Sequence, residues 1–331
     1  MKSVPARDRL ARVLNLPTRA DRKKARAKLG ALVTLRIAPA TRNRYARAWH
    51  RFRLFCEQRE LPLTCATDVD MALAFHIECL WQEGEPKPWS ADAVAAAQFY
   101  IPSLKKCLNL SWSLCSAWNR LELPTRALPF DPPTLVAFCG ALLRAGHPRI
   151  AAASIVGFNV LARTGELVSL TRSQVKLGHS EAVIVFSQTK RGQRLGIDEP
   201  VVIRDPTVIM LLHYLCADLL PGDTLLGCSE RQLRSAYAAV AAALDLAKWA
   251  CRPYSLRRGG ATWLFRVAGR IDEVCLRGRW GSIITCRRYI DDGCATLAAI
   301  DFSDFQVRNF AALGAEFRTW LRKIAAWAPS Q

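Results

Sequence analysis

Apolar positions recur along most of this chain at steps of three and four, the spacing of one helix face. After Thr41, read as an N-cap, Tyr45, Trp49, Phe52 and Phe55 fall on one side with arginines between them. That pattern predicts an amphipathic helix with an aromatic inner face and a basic outer one. Helical patterns continue over 68–81 and 91–121, separated by Gly84, Pro86 and Pro88. Pro124, Pro129, Pro132 and Pro133 crowd the stretch 123–133. Prolines at that density stop helices and favour extended backbone, so a linker is expected there. Beyond it, 133–144 and 150–163 read as helices. Two β-rich runs, 182–187 and 200–204, flank a polar turn at 189–194, which predicts a hairpin with a basic tip. The segments 206–219, 229–249 and everything from 256 onward return to the helical period, broken by glycines. The expected fold is mainly α with a small antiparallel β-sheet. It runs as a basic arm (1–40), a helical domain (41–122), a linker (123–133), a second domain (134–302) and a C-terminal amphipathic helix (303–331).

Composition narrows the class. A chain of 331 residues suggests two domains at about 150 residues each. With 51% hydrophobic residues, it is neither disordered nor collagen-like. No apolar run reaches the ~18 residues of a membrane helix; the nearest, 151–162, is interrupted by Asn159 and flanked by Arg149 and Arg163. The charged N-terminal stretch has no signal-peptide core, so an intracellular location is expected, nuclear in a eukaryote and otherwise cytoplasmic or nucleoid. The twelve cysteines form no CxxC pair, and His76/Cys79 and His213/Cys216 stand alone. A zinc site needs about four converging ligands, so no metal or other cofactor is expected, and the cysteines read as buried reduced thiols.

Charge changes the picture most. The net charge is +19, and residues 1–60 hold 17 lysines and arginines against 4 acids, a net of +13. Such a field attracts a polyanion, with nucleic acid the first candidate. The candidate contacts are Lys23 and Lys24 in the basic run 22–28, Arg42, Arg44, Arg47 and Arg51 on the aromatic helix, and Arg191 and Arg194 at the hairpin tip.

Four strings carry the candidate chemistry: Ala162-Arg163-Thr164-Gly165-Glu166-Leu167; Lys190 on the hairpin; Tyr254-Ser255-Leu256-Arg257-Arg258-Gly259-Gly260-Ala261-Thr262; and Gly278-Arg279-Trp280 followed by Tyr289. In this order and spacing they resemble the tyrosine recombinase (phage integrase) family over about residues 41–300. The string around Arg257 is most similar to versions from eukaryotic mobile elements. The resemblance implies a two-domain DNA clamp, with a SAM-like helical core-binding domain over 41–122 and a catalytic domain over 134–302. Its expected partner is double-stranded DNA, and its activity is DNA recombination or integration without a metal.

By that resemblance, Tyr289 is the nucleophile that forms a 3′-phosphotyrosyl intermediate. Arg163 and Arg257 hold the non-bridging oxygens with planar, permanently charged donors. Lys190 protonates the leaving 5′-oxygen, and Trp280 supplies an indole N–H. Glu166 orients an arginine, and Arg258 adds charge or touches the DNA backbone. One position departs from the family pattern: Tyr254 stands where a histidine is usual. A phenol, with an ordinary pKa of about 10, is a poor base at neutral pH. Two alternatives stay open, a catalytically impaired DNA-binding remnant and a type IB topoisomerase-like activity. Finally, Phe310, Leu313, Phe317, Trp320, Leu321, Ile324 and Trp327 form one wide apolar face. That face either packs against its own catalytic domain or, as the resemblance implies, is exchanged between protomers in a tetramer assembled on DNA.

Overall fold

The structure is a computed structural model that describes residues 18–123, 125–186 and 198–327. The described residues form two compact units whose boundary lies between Pro124 and Thr125.

The first unit is a set of helices. Helix α1 (Arg19–Leu29) carries Lys23 and Lys24 and buries no residue. Helix α2 (Pro39–Gln58) starts two residues before Thr41, with proline in its first turn, where the missing N–H costs nothing. Its buried face is Ala48, Phe52, Phe55 and Cys56. Helix α3 (Ala66–Gln82) is capped reciprocally by Cys65 and Asp68, and buries Val69, Leu73, Ile77 and Leu80. The pattern over 91–121 resolves into two helices, α4 (Pro88–Tyr100) and α5 (Asn109–Leu121), parted at Pro102. The Asp70 carboxylate accepts the Leu110 and Ser111 amides at 3.0 Å each, so α3 supplies the cap that α5 lacks in its own sequence.

The second unit begins where a linker was expected. Residues 127–130 are buried, and the Leu128 amide donates to the Trp249 carbonyl at 3.1 Å. The prolines make this segment extended, but its apolar side chains attach it to the core. Helices α6 (Pro132–Arg144) and α7 (Pro148–Asn159) follow, α6 capped by Asp131. The 150–163 pattern thus ends early: Arg163 has extended backbone and caps the short α8 (Thr164–Ser169).

Three strands, β1 (Val175–Leu177), β2 (Ala182–Phe186) and β3 (Glu199–Ile203), make an antiparallel sheet in that order. The register pairs Val175 with Ile184 and Ile184 with Val201, so the alternate residues Ala182, Ile184, Phe186, Val201 and Ile203 face inward. Strand β1 was missed by the sequence reading, because three residues are too few to show alternation. Helices α9 (Pro206–Cys216), α10 (Glu230–Ala243), α11 (Tyr254–Ala268), α12 (Ile271–Gly278), α13 (Ile283–Arg287) and α14 (Asp292–Ile300) follow.

The last helix, α15 (Asp304–Trp327), lies against α6 of its own chain. A Cβ at Gly140 would come within 2.1 Å of the Leu313 carbonyl oxygen, so glycine lets these two helices touch backbone to backbone. Leu313, Phe317 and Ile324 are buried in the same core as α6 and α7. Of the two readings of this apolar face, the structure shows the one in which it packs against its own chain. The twelve cysteines are all free, but Cys65 and Cys107 are exposed, not buried as expected.

Candidate active site

Helix α11 carries the centre of the site because it can sit unusually close to its neighbours. A Cβ at Gly259 would meet the Phe130 carbonyl oxygen at 2.1 Å, and one at Gly260 the Phe158 carbonyl oxygen at 2.2 Å. The glycine pair after Arg258 therefore lets the helix press on two backbone segments. That approach buries Arg257 and Arg258, at 0% and 3% exposure.

Arg257 donates to the Leu161 carbonyl and, at 2.6 Å, to the Gly278 carbonyl, while its Nε has no partner. Its guanidinium lies 4.3 Å from the centroid of Trp280 and 5.3 Å from that of Tyr289. Burial, then the charge of Arg163, pushes it down to about 10. The sequence reading expected Arg257 to grip substrate oxygens. The structure instead closes it beneath the two aromatic rings, with two nitrogens committed to backbone.

Tyr289 sits in the turn after α13, its amide donating to the Cys286 carbonyl at 2.9 Å. Its ring centroid is 4.6 Å from Trp280 and 5.7 Å from Tyr254. Burial acts to raise the Tyr289 pKa. The Tyr254 hydroxyl donating toward it and the Arg257 charge outweigh that, and hold the phenol below its ordinary value. Tyr254 moves the other way, raised by burial and by its bond to Tyr289, so it keeps its proton. The Trp280 Nε1–H is near enough to Tyr289 to lower it further, yet finds no acceptor at hydrogen-bonding geometry.

A second arginine cluster surrounds Glu166. Arg163 caps α8: its amide donates to Glu166 Oε2 at 2.9 Å, and its side chain pairs with Oε1. Arg279, buried and in the left-handed region at φ 58°, donates to Glu166 Oε2 at 2.8 Å and to the Val160 carbonyl at 3.1 Å. Burial raises the Glu166 carboxyl, but Arg279 and Arg163 overcome it and hold the group below its ordinary value. Arg163, Arg257 and Arg279 all act on one carboxylate. Glu199, also buried, acts on Arg279 as well, so the three guanidiniums outnumber the carboxylates beside them, and an anion can offset the remaining charge. Arg279 was not singled out from the sequence. Its only signal was its place inside the Gly278-Arg279-Trp280 string, and an isolated arginine is ordinarily a surface residue.

The remaining expected residues divide. Arg258 pairs with Asp291 Oδ2 at 2.5 Å, and Asp291 caps α14 through Cys294 at 3.2 Å. Arg258 thus fixes the segment that follows Tyr289. Lys190, Arg191 and Arg194 lie outside the described residues; β2 and β3 pair antiparallel.

In the first unit, Lys23, Lys24 and Arg47 are exposed, Arg44 pairs with Asp92 at 3.2 Å, and Arg51 lies 3.6 Å over the Trp89 ring. Arg42 is half-buried. Arg44 and Arg51 are therefore engaged within their own unit. Among the described residues, no group of three or more His, Cys, Asp or Glu is placed to hold a metal ion, and no helix is long and apolar enough to cross a membrane.

No protein-family model matches the sequence, and a comparison with curated proteins finds no match. Solved structures do match. XerH site-specific recombinase bound to palindromic difH substrate is 14% identical, with a TM-score of 0.55 over 87% of this chain and 86% of that one. The Tn1549 transposon integrase in complex with transposon right end DNA is 10% identical, with a TM-score of 0.52 over 80% of this chain and 94% of that one. A lambda integrase dimer bound to a COC′ core site is 13% identical, with a TM-score of 0.51 over 88% and 82%. At these identities it is the path of the backbone that agrees, and this chain has the fold of the tyrosine recombinases and integrases.

Proposed function

We propose that this chain cleaves and rejoins DNA strands through a 3′-phosphotyrosyl intermediate on Tyr289, as a recombinase or integrase, in keeping with the mobile-element flavour of its sequence. The observation that carries the reading is the setting of Tyr289: its ring stands 4.6 Å from Trp280, 5.7 Å from Tyr254 and 5.3 Å from the Arg257 guanidinium, whose charge favours the ionised phenol, with Arg163 and Arg279 paired to Glu166 nearby. In the proposed step the Tyr289 oxygen attacks phosphorus, its proton passes to solvent, and the bond to the 5′-oxygen breaks. Lys190 gives that oxygen its proton. The phosphodiester is exchanged for a phosphotyrosyl ester of similar energy, so the 5′-hydroxyl can return and rejoin the strand without a cofactor.

Within this reading we assign the roles as follows from burial and hydrogen bonding. Arg163, whose side chain is 24% exposed, is the arginine placed to meet a non-bridging oxygen. Arg257 and Arg279 act from below by charge, Arg257 while tied to the Leu161 and Gly278 carbonyls and Arg279 while holding Glu166. Tyr254 serves as a hydrogen-bond donor to the nucleophile, and a proton acceptor is not its role.

A second reading is favoured by one observation: both terminal nitrogens of Arg257 are committed to backbone carbonyls, as suits a DNA-binding protein that no longer cleaves. One experiment separates the two. Nicked duplex DNA incubated with the wild type is expected to yield a covalent protein–DNA adduct. Tyr289→Phe removes only the phenolic oxygen, so it should abolish the adduct while leaving DNA affinity within about twofold. No adduct from the wild type, with binding intact, selects the remnant.

A further inference from the structure

Next to the nucleophile lies a cleft of about 410 Å³ that the chemistry above leaves unused. It is lined by Thr125, Arg126, Ala127, Thr164, Arg234, Arg252, Tyr254, Arg258 and Arg288. Five arginines arrive from separate parts of the second unit: the segment before α6, helix α10, the turn into α11, α11 itself, and the residue before Tyr289. No aspartate or glutamate lines it. Arg234 is paired with Glu230 and Arg258 with Asp291, so five guanidiniums face two carboxylate partners. Arg126, Arg252 and Arg288 are exposed. Arg258 is 3% exposed, and its buried Nε has no partner. A fold that gathers like charges and leaves a buried donor unmatched has a local electrostatic deficit, which an anion in the cleft would relieve.

The ligand follows from the cleft's position. Tyr254 belongs to its wall and stands 5.7 Å, ring to ring, from Tyr289. Phosphates recur about every 3.4 Å of axis along one strand of a duplex. A strand whose scissile phosphate is at Tyr289 therefore carries its next phosphates past this wall. We propose that the cleft is a second phosphate site, in which Arg252 and Arg288, backed by Arg126, Arg234 and Arg258, hold the DNA backbone flanking the scissile phosphate. This rests on the DNA reading above and adds a set of residues that the four sequence strings did not reveal. Held there, the cut strand stays in register, so its free end remains near the phosphotyrosyl bond.

The test uses the full chain and a non-specific 30-base-pair duplex, with affinity measured across a salt series. Each phosphate contact contributes about 0.9 to the log–log slope. The double variant Arg252→Ala with Arg288→Ala is expected to flatten the slope by about 1.8, and Arg252→Lys with Arg288→Lys to restore it. The control pair, Arg308→Ala with Lys323→Ala on α15, should leave it unchanged. An alanine pair with the wild-type slope overturns the proposal, as does an equal loss in the control pair. Adduct formation on nicked DNA, followed in parallel, keeps the two readings apart. A flattened slope without any wild-type adduct overturns cleavage but leaves the cleft standing. An adduct with an unchanged slope overturns the cleft alone, and a wild type that does not bind DNA overturns both.

Discussion

Tyr254 and Tyr289 are two phenols with opposite protonation behaviour in one site. Tyr254 keeps its proton and donates it toward Tyr289, which is thereby easier to ionise. Removing that donor in Tyr254→Phe raises the Tyr289 pKa. A hydrogen bond to a charged group is worth about 1.5–3 kcal/mol, so the rising limb of the pH–rate profile for adduct formation, where Tyr289 loses its proton, should move up by roughly one to two units. A profile that stays in place, with only its height changed, would mean that Tyr254 acts on DNA and not on the nucleophile.

His76 makes a separate prediction, about stability. It is buried against Phe52 and Phe55, and burial, followed by the charges of Arg51 and Arg59, pushes its pKa from 6.5 down to about 4. Between those values the unfolded chain binds the proton and the folded chain does not. Stability is therefore intact above pH 6.5 and falls as pH drops toward 4, by roughly 3 kcal/mol in all. Thermal unfolding of the first unit should show this loss, and His76→Phe should remove most of it.

Elements meet in this protein through small residues at chosen points. Helix α11 reaches Phe130 and Phe158 only because positions 259 and 260 lack a side chain. Gly259→Ala places a methyl group inside a backbone contact, and overpacking of this kind costs about 3 kcal/mol. The damage should extend to chemistry, because the same helix carries Tyr254, Arg257 and Arg258. The expected result is a lower melting temperature together with slowed adduct formation at temperatures where the variant is still folded. An unchanged melting temperature would show that α11 can retreat without cost. At this scale the sequence had been legible in part. The 3.6-residue period placed most helices, and the Gly259-Gly260 pair was visible. What the pair was for depended on Phe130 and Phe158, more than a hundred positions away.

At the scale of the whole molecule, the C-terminal helix decides what can be removed. Leu313, Phe317 and Ile324 belong to the core of the second unit, Trp320 packs edge-on against Tyr214, and Arg144 pairs with Glu316. Truncation after Phe302 should therefore expose the α6 face and give an aggregating or strongly destabilised chain, read by soluble yield and melting temperature. A truncated chain that folds normally and loses only the ability to bring two DNA sites together would return the helix to the exchange role expected from the resemblance. The charge of the molecule is likewise a whole-chain property. The +13 held by residues 1–60 was plain from composition, but Arg44 and Arg51 spend part of it within their own unit.

The sequence by itself determined the helical class, the hairpin, the basic first sixty residues and the strings that contain Arg163, Arg257, Trp280 and Tyr289. Those features are local: apolar period, turn residues and composition are written in neighbouring positions. Tertiary structure alone decided which of those residues share a site and in what role. It buried Arg257 under two rings, brought Arg279 to Glu166, turned Arg258 toward Asp291, and gathered five arginines from distant segments into one cleft. The reason is physical. A guanidinium's function depends on its desolvation and on the charges within a few ångströms, and both are set by what the fold packs around it, not by the residues beside it in the chain.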